Sequence, residues 1–223
     1  MKRNIRNTRN VWNVTRGAVA LALAGAVLTG CGEGKPASSA SSTPSSPAGQ
    51  AKGGAAAAKG GSVGAAGSAC PLPAVFDVAD KWKAKAVEPD PADSPLSGLT
   101  KQGQFSMACE IDAKPAGHLG FLRAWTGTAT TGTPRAALEG FVGANKNASK
   151  AAYKETKAGS LPAAEVVFET YSKLMDESKQ ERALAVITPH GTLVLHLSGL
   201  DTQEQTDMVP ALELAKSSMK AAS

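Results

Sequence analysis

The pattern of apolar and polar side chains predicts a β-rich domain in the C-terminal two thirds of the chain. Residues 105–112 alternate strictly: Phe105, Met107, Cys109 and Ile111 share one face and Ser106, Ala108, Glu110 and Asp112 the other. A period of two is typical of a half-buried strand. Further strands are predicted at 74–78, 82–87, 119–126, 164–169, 182–188 and 192–198, with a short one at 153–156.

Two helices are predicted from their start signals. Thr133 and Pro134 form an N-cap followed by proline at the first helical position. The apolar face of this helix comprises Leu138, Phe141 and Val142. Asp201 and Glu204 resemble a capping box and predict a C-terminal helix. We expect Pro210 to kink or restart that helix, because proline lacks the backbone N–H that the ladder needs.

The segments between these elements predict loops and a fold class. Residues 88–104 hold three prolines and two glycines and predict a loop. Residues 159–162 and 189–191 are typical of turns, and the charged segment 172–180 is expected to be an exposed loop. The order of strands, helix, strands and helix indicates an α+β fold, with helices packed on an antiparallel sheet.

Residues 31–69 have a composition that predicts a flexible linker. From Gly32 to Ser68 the chain is almost entirely Gly, Ala, Ser, Pro and Lys, with no aromatic residue. Such a segment cannot bury enough apolar surface to offset the entropy of ordering it. We therefore expect a single folded domain at 70–223, a usual size for one domain.

The first thirty-one residues predict export and lipid attachment. A basic segment precedes an apolar run of twelve, residues 17–28, which is typical of a secretory signal and too short to span a bilayer. Leu28-Thr29-Gly30-Cys31 resembles the lipobox of bacterial lipoproteins. That resemblance implies removal of residues 1–30 as a signal peptide and a diacylglycerol on Cys31. Two acyl chains suffice for stable membrane anchoring.

The charge of the chain changes when the leader is removed. Residues 1–30 hold five of the 24 Lys and Arg and none of the 19 Asp and Glu, so the remainder has 19 − 19 = 0 net charge. A neutral domain lacks the electrostatic footprint that nucleic-acid binding needs. We expect no nucleic-acid partner.

Several segments of the domain resemble a known family. They are Phe76-Asp77-Val78 followed by Trp82, the Gly-Ser-Leu-Pro-Ala turn at 159–163, the late hairpin, and the closing helix after Gly199-Leu200-Asp201. Together they resemble the actinobacterial LpqN-like lipoproteins and the wider PsbP-like α/β fold. The resemblance implies a non-enzymatic binding or accessory module of the cell envelope, and it supplies no catalytic residues.

Cys70 and Cys109 remain once Cys31 carries lipid. Outside the cytoplasm an even pair of cysteines is typical of a disulfide, with free buried thiols as the alternative. Cys109 is predicted to face the same way as Phe105 and Ile111, toward the core. Cys70 starts the predicted domain, where a bridge would stop fraying.

Candidate chemistry elsewhere is sparse. His118, His190 and His196 lie too far apart in sequence for a local metal motif, so a zinc site would need distant residues. No hydrolase, phosphate-loop or dinucleotide motif occurs, and no cofactor is expected.

Three further charged residues allow both a structural and a functional interpretation. Glu110 and Asp112 share a strand face, which a solvated surface explains as well as a carboxylate pair does. Arg123 shares a face with Phe121 and Trp125. Either the arginine packs across the aromatic rings, or the three residues form the floor of a ligand site.

Two hypotheses from different classes remain open. The first is a lipid-anchored, non-catalytic binding or accessory domain, whose partner is an envelope protein, a wall polymer or a small apolar ligand. The second is an envelope hydrolase with an unrecognised site. A deep pocket lined by His196, Arg123 and carboxylates would favour the enzyme, whereas a shallow apolar cleft between sheet and helix would favour the binder.

Overall fold

The computed structural model describes residues 56–88 and 97–223. Within these residues the chain forms eleven strands and two α-helices, and the expected α+β fold is confirmed. The first elements are β1 (Lys59–Val63), β2 (Ala74–Ala79), β3 (Lys83–Ala86), β4 (Lys101–Gln102), β5 (Phe105–Asp112), β6 (Gly120–Gly127) and α1 (Pro134–Gly143). They are followed by β7 (Ala148–Ala158), β8 (Leu161–Ser172), β9 (Glu177–Thr188), β10 (Gly191–Gly199), α2 (Thr202–Ser218) and β11 (Lys220–Ala221).

Among the described residues, eight strands form one antiparallel sheet in the order β3-β5-β6-β10-β9-β8-β7, with β4 paired to β5. A second sheet has the order β1-β2-β11. α2 packs on β2 and β10, while α1 packs on β8, β9 and β7. The large sheet therefore has an α2 face and an α1 face.

Strand β10 is buried on both faces and separates two cores. Leu193, Leu195 and Leu197 belong to the core that α2 and the small sheet cover. Val194 belongs to the second core, beneath α1. Because side chains alternate across a strand, His196 and Ser198 also point to the α1 face.

The predicted helix starts are confirmed. The Thr133 hydroxyl accepts a hydrogen bond from Ala136 N, and the Asp201 carboxylate accepts one from Glu204 N at 2.8 Å. α2 runs through Pro210 without a break, so the expected restart is wrong. Residues buried on both sides of Pro210 hold the helix to the sheet, and packing outweighs the lost hydrogen bond.

The folded domain begins before residue 70, so the linker boundary at 69 is wrong. β1 lies inside the expected linker, and its Lys59 pairs with Ala79 of β2. A Cβ on Gly60 would lie 2.6 Å from the Cα of Asp80, so the close approach of the two backbones requires glycine. The glycines that made this segment look flexible are those that let it pack. Residues 1–55 lie outside the described residues.

The expected loop at 172–180 is wrong, because β8 and β9 continue through it. Ser172 pairs with Glu177, and only residues 173–176 form the turn. This hairpin extends beyond the core, so its paired side chains are mostly polar and show no apolar alternation, while Leu174 and Met175 of the turn are exposed. β7 is an exposed edge strand that also lacks a clear apolar alternation, so it is longer than the expected 153–156. Lys101–Gln102 likewise forms a short strand inside the expected loop at 88–104.

A β-bulge corrects the predicted orientation of β5. The pairing with β6 shifts between Met107 and Cys109, where Met107 pairs with Trp125 and Cys109 with Ala124. The extra residue turns the later part of the strand over. Phe105 therefore lies in the α1-side core, while Cys109 and Ile111 lie in the α2-side core.

Candidate functional site

The α1 face of the sheet carries a compact set of polar side chains beside α1. His196 of β10 pairs with Arg123 of β6 and with Ala183 of β9. Ser198 lies two residues beyond His196 on the same face. Glu181 lies two residues from Ala183 on β9 and therefore faces the same way. Register alone brings these side chains together.

Glu181 is the centre of this set, which we call the Glu181 cluster: Thr170, Lys179, Glu181, His196 and Ser198. His196 Nε2 lies 3.0 Å from Oε2, and the Thr170 hydroxyl donates to the same oxygen at 3.1 Å. Ser198 Oγ donates to Oε1 at 2.9 Å, and Lys179 Nζ lies 3.3 Å from Oε1. Four donors therefore surround a carboxylate that is only 4% exposed.

The cluster holds Glu181 in its charged form. Burial by itself raises the pKa of Glu181. Hydrogen bonding and charge from His196, the charge of Lys179 and the Ser198 hydrogen bond together outweigh it and lower the pKa to about 2. Near neutral pH this carboxylate is ionised and compensated.

The His196 ring is held between two phenylalanines. It stacks on Phe168, with ring centres 5.8 Å apart and 26° between planes, and meets Phe141 of α1 edge-on at 5.5 Å. Its Nδ1 is buried without a hydrogen-bond partner among the described residues. The indole Nε1 of Trp125 is likewise buried and unpartnered there.

The pair of Arg123 and Glu110 borders the cluster. Arg123 Nε donates to Glu110 Oε2 at 2.9 Å, and the guanidinium lies 4.5 Å from the centre of the Phe121 ring. Asp112 instead accepts a hydrogen bond from the backbone N–H of Lys114. Glu110 and Asp112 therefore have separate partners and do not act as a carboxylate pair.

Two adjoining clefts lie over these residues and share Arg123 and Ser198. The larger, of about 670 Å³, has Glu110, Glu181 and His196 among its polar residues and Leu99, Met107 and Trp125 among its apolar ones. The smaller, of about 320 Å³, is bordered by Leu119, Phe121, Met175, Lys179 and Leu200. Both are open to solvent, with apolar sides and a charged floor.

The other histidines take no part. His118 Nδ1 lies 2.8 Å from Glu204 Oε1, and His190 sits in the exposed turn between β9 and β10. Across residues 56–88 and 97–223, no group of three or more His, Cys, Asp or Glu side chains is arranged to hold a metal ion.

The predicted bridge between Cys70 and Cys109 is present. Their Cα atoms are 5.8 Å apart, and both residues are fully buried. The bulge in β5 directs Cys109 to the α2 face. Cys70 lies on the same face, in the loop that follows β1. The third cysteine, Cys31, and the predicted leader lie outside the described residues.

Sequence reasoning singled out His196 and Arg123 but missed Glu181, Ser198 and Lys179. The available signal was the spacing of His196 and Ser198, two polar residues on one face of a mostly apolar strand. The sequence signal for Glu181 was weaker, since this residue falls at the edge of a segment expected to be an exposed loop. Its position diagonally across from His196 depends on the register of β9 with β10.

Comparisons with known proteins identify a family. The chain is similar to the solution structure of cyanobacterial PsbP (CyanoP) from Synechocystis sp. PCC 6803, with 11% identity, a TM-score of 0.45 and coverage of 67% of this chain and 86% of that chain. A similarity of this size supports no functional argument. No curated protein matches the chain. In the described part of the chain, no helix has the length and apolar character needed to cross a membrane. The family model described as "Uncharacterised lipoprotein" matches residues 39–219, and the chain belongs to this lipoprotein family.

Proposed function

We propose that this lipoprotein is held on the extracytoplasmic face of the cell membrane by a diacylglycerol on Cys31, and that its folded domain is a non-catalytic binding module. The ligand is a small apolar molecule that occupies the larger cleft. Membership of a lipoprotein family supports the anchor, and the basic leader, apolar run and lipobox of residues 1–31 supply its position. The narrower assignment to actinobacterial LpqN-like lipoproteins is part of the proposal and depends on the sequence resemblance.

The observation that carries the binding role is the internal compensation of the Glu181 cluster. The charged groups shielded from solvent on the cleft floor are paired within the protein, Lys179 with Glu181 and Arg123 with Glu110. Lys101, which also lines the larger cleft, is exposed to solvent. A ligand therefore gains little from charge and most from the apolar sides at Leu99, Met107 and Trp125. Such a cleft, mainly apolar with a few fixed polar groups, is typical of small-molecule sites.

The hydrolase alternative receives less support from the same geometry. The cleft does bring together His196, Arg123 and carboxylates, the composition expected of an enzyme. However, His196 and Ser198 both donate to Glu181, so the histidine does not face the hydroxyl as a general base. Lys179 Nζ also donates to Ser198 Oγ at 3.1 Å. A serine nucleophile is usually activated by a hydrogen bond to a histidine, but Ser198 donates instead to Glu181, whose lowered pKa makes it a weak base.

Two experiments test the proposal. Metabolic labelling with a palmitate analogue should mark the wild-type protein and not Cys31→Ala; equal labelling of both would refute the anchor.

For the cleft, the uncharged fluorophore N-phenyl-1-naphthylamine serves as the apolar probe. Leu99→Lys should weaken its binding, because Leu99 lines the cleft and is exposed enough to change without cost to the core. Leu174→Lys is the matched control, an exposed leucine that borders neither cleft. An equal effect of both variants would reject the cleft as the site.

A further inference from the structure

Most of the large apolar side chains exposed on the described residues gather at one end of the large sheet. Leu119, Met175 and Leu200 border the smaller cleft and are more than half exposed, and Leu174 beside them is 94% exposed. We call these four residues the apolar rim. Single exposed leucines are ordinary on protein surfaces, but a cluster of them marks an interaction site.

The rim is built from fixed backbone. Leu200 N donates to Leu119 O at 2.8 Å, so these two residues are held side by side. Leu174 and Met175 form the tip of the β8–β9 hairpin, where the Met175 N–H donates to the hydroxyl of Ser172. The four side chains therefore project from a defined surface.

Strand register places the rim at the end of the sheet where the N-terminal segment joins the domain. The rim end is marked by the pairing of Gly120 with Gly199. β2 starts at the opposite end, since a side chain on Gly191, the first residue of β10, would meet Pro73. β2 therefore ends toward the rim, and its last residue, Ala79, pairs with Lys59 of β1.

The length of the chain between Cys31 and β1 limits which surfaces the rim can contact. Twenty-four residues separate Cys31 from Ala56. Fully extended they reach at most about 85 Å, and as a flexible coil about 25–30 Å. Tethering at this distance gives the rim a high effective concentration at the lipid surface, so even weak contacts are occupied.

We propose that the apolar rim rests on the lipid bilayer, with Leu174 and Met175 inserted at the interface. This inference relies on the proposed lipid anchor at Cys31. The exposed charges of the tip are of both signs, Lys173 with Asp176 and Glu177. Apolar burial therefore drives the contact, and it does not require anionic lipid. In this orientation the smaller cleft opens toward the membrane, the source of the apolar ligand.

Tryptophan emission in vesicles tests the orientation. Leu174→Trp places a reporter in the rim, while His190→Trp places a matched reporter in an exposed turn at the opposite end of the sheet. Both share the background of the buried Trp82 and Trp125. The full, acylated protein is reconstituted into phosphatidylcholine vesicles that contain brominated phosphatidylcholine, which quenches indole emission at the bilayer.

The Leu174→Trp reporter should lose most of its emission to brominated lipid, at low and high salt alike, and the His190→Trp reporter should lose none. Adding Leu119→Ser and Leu200→Ser to the Leu174→Trp variant should weaken the contact about tenfold, because two side chains no longer leave water. Equal quenching of both reporters, or none at Leu174→Trp on vesicle-bound protein, overturns the inference. A blue shift at Leu174→Trp without lipid quenching would overturn the inference and assign the rim to contact with a second copy of this chain.

Failure of the anchor gives a different result. If Cys31 carries no lipid, neither reporter protein floats with the vesicles at low lipid concentration. The quenching measurement is then repeated with excess vesicles. Quenching of Leu174→Trp and not of His190→Trp would still show that the rim contacts lipid. Absence of quenching at excess lipid refutes the rim contact independently of the anchor.

Discussion

Glu181→Gln removes the charge on which the Glu181 cluster converges while it keeps the size and the hydrogen-bonding oxygen of the side chain. The variant leaves the ammonium of Lys179 without its carboxylate, at 3.3 Å in the wild type. His196 and Thr170 share one carboxylate oxygen and Ser198 and Lys179 share the other, so the amide nitrogen of glutamine deprives one of these two pairs of its acceptor. We expect a clear loss of stability at neutral pH.

The size of the loss follows from the pKa of Glu181. Its value of about 2, against an ordinary 4.5, corresponds to about 3 kcal/mol, since each unit is 1.36 kcal/mol. Removal of one partner from a buried ion pair typically costs about 3–5 kcal/mol. Lys179 keeps 23% of its side chain exposed and can be partly rehydrated, so we expect the lower end of that range.

The pH dependence has a definite sign. Because the folded-state pKa of Glu181 is depressed, its contribution is fully present above the unfolded value near 4.5 and is lost as pH falls toward about 2. The difference in unfolding free energy between wild type and Glu181→Gln should therefore be about 3 kcal/mol at neutral pH and shrink through this acid range.

Urea unfolding at a series of pH values measures this difference. Glu177→Gln is the matched control, with the same change of charge at an exposed position on the same strand. It should shift stability by no more than about 0.5 kcal/mol. A Glu181→Gln variant as stable as this control, or a difference that persists unchanged at the acid end, would refute the account of the cluster.

Three further predictions concern the disulfide, a helix cap and the domain boundary. Cys70→Ser should cost about 4 kcal/mol, since the bridge spans a sequence separation of 39, and thermal unfolding of the double variant with Cys109→Ser should show little additional loss. Asp201→Ala should cost about 1 kcal/mol in urea unfolding through loss of the α2 cap, with Asp207→Ala on the helix surface as control. Limited proteolysis should leave a stable fragment that still contains Lys59, as mass spectrometry can determine; a stable fragment starting near residue 70 would contradict the role of β1.

The elements that sequence reasoning predicts correctly are those in which local chemistry and burial agree. Thr133 and Asp201 cap their helices as the sequence indicates, because capping is a local interaction. β10 is recognisable because its leucines alternate over a packed core. β1 is not recognisable, since its Gly60 serves a close backbone contact that exists only after β2 is in place.

The candidate site could be predicted only in part for a similar reason. His196 stands out as a polar residue between leucines, but Glu181 is identified as its partner only by the register of β9 with β10. The orientation of Phe105 also depends on a tertiary feature, since the bulge in β5 interrupts an alternation that looks unbroken in sequence. Strict periodicity predicts one face for Phe105 and Cys109, and one extra residue separates them into two cores.

The charged floor of the clefts follows from how unequally the two faces of the sheet are covered. α2 and the small sheet cover the α2 face, where β10 contributes only leucines. α1 has ten residues and is about 15 Å long, while the nine residues of β10 extend about 30 Å, so the helix cannot cover the α1 face in any orientation. Apolar side chains beyond the helix would be left in water, and unpaired charges there would be only partly solvated. A set of mutually compensated polar groups meets both conditions, and in the proposed function it forms the floor beneath the apolar ligand.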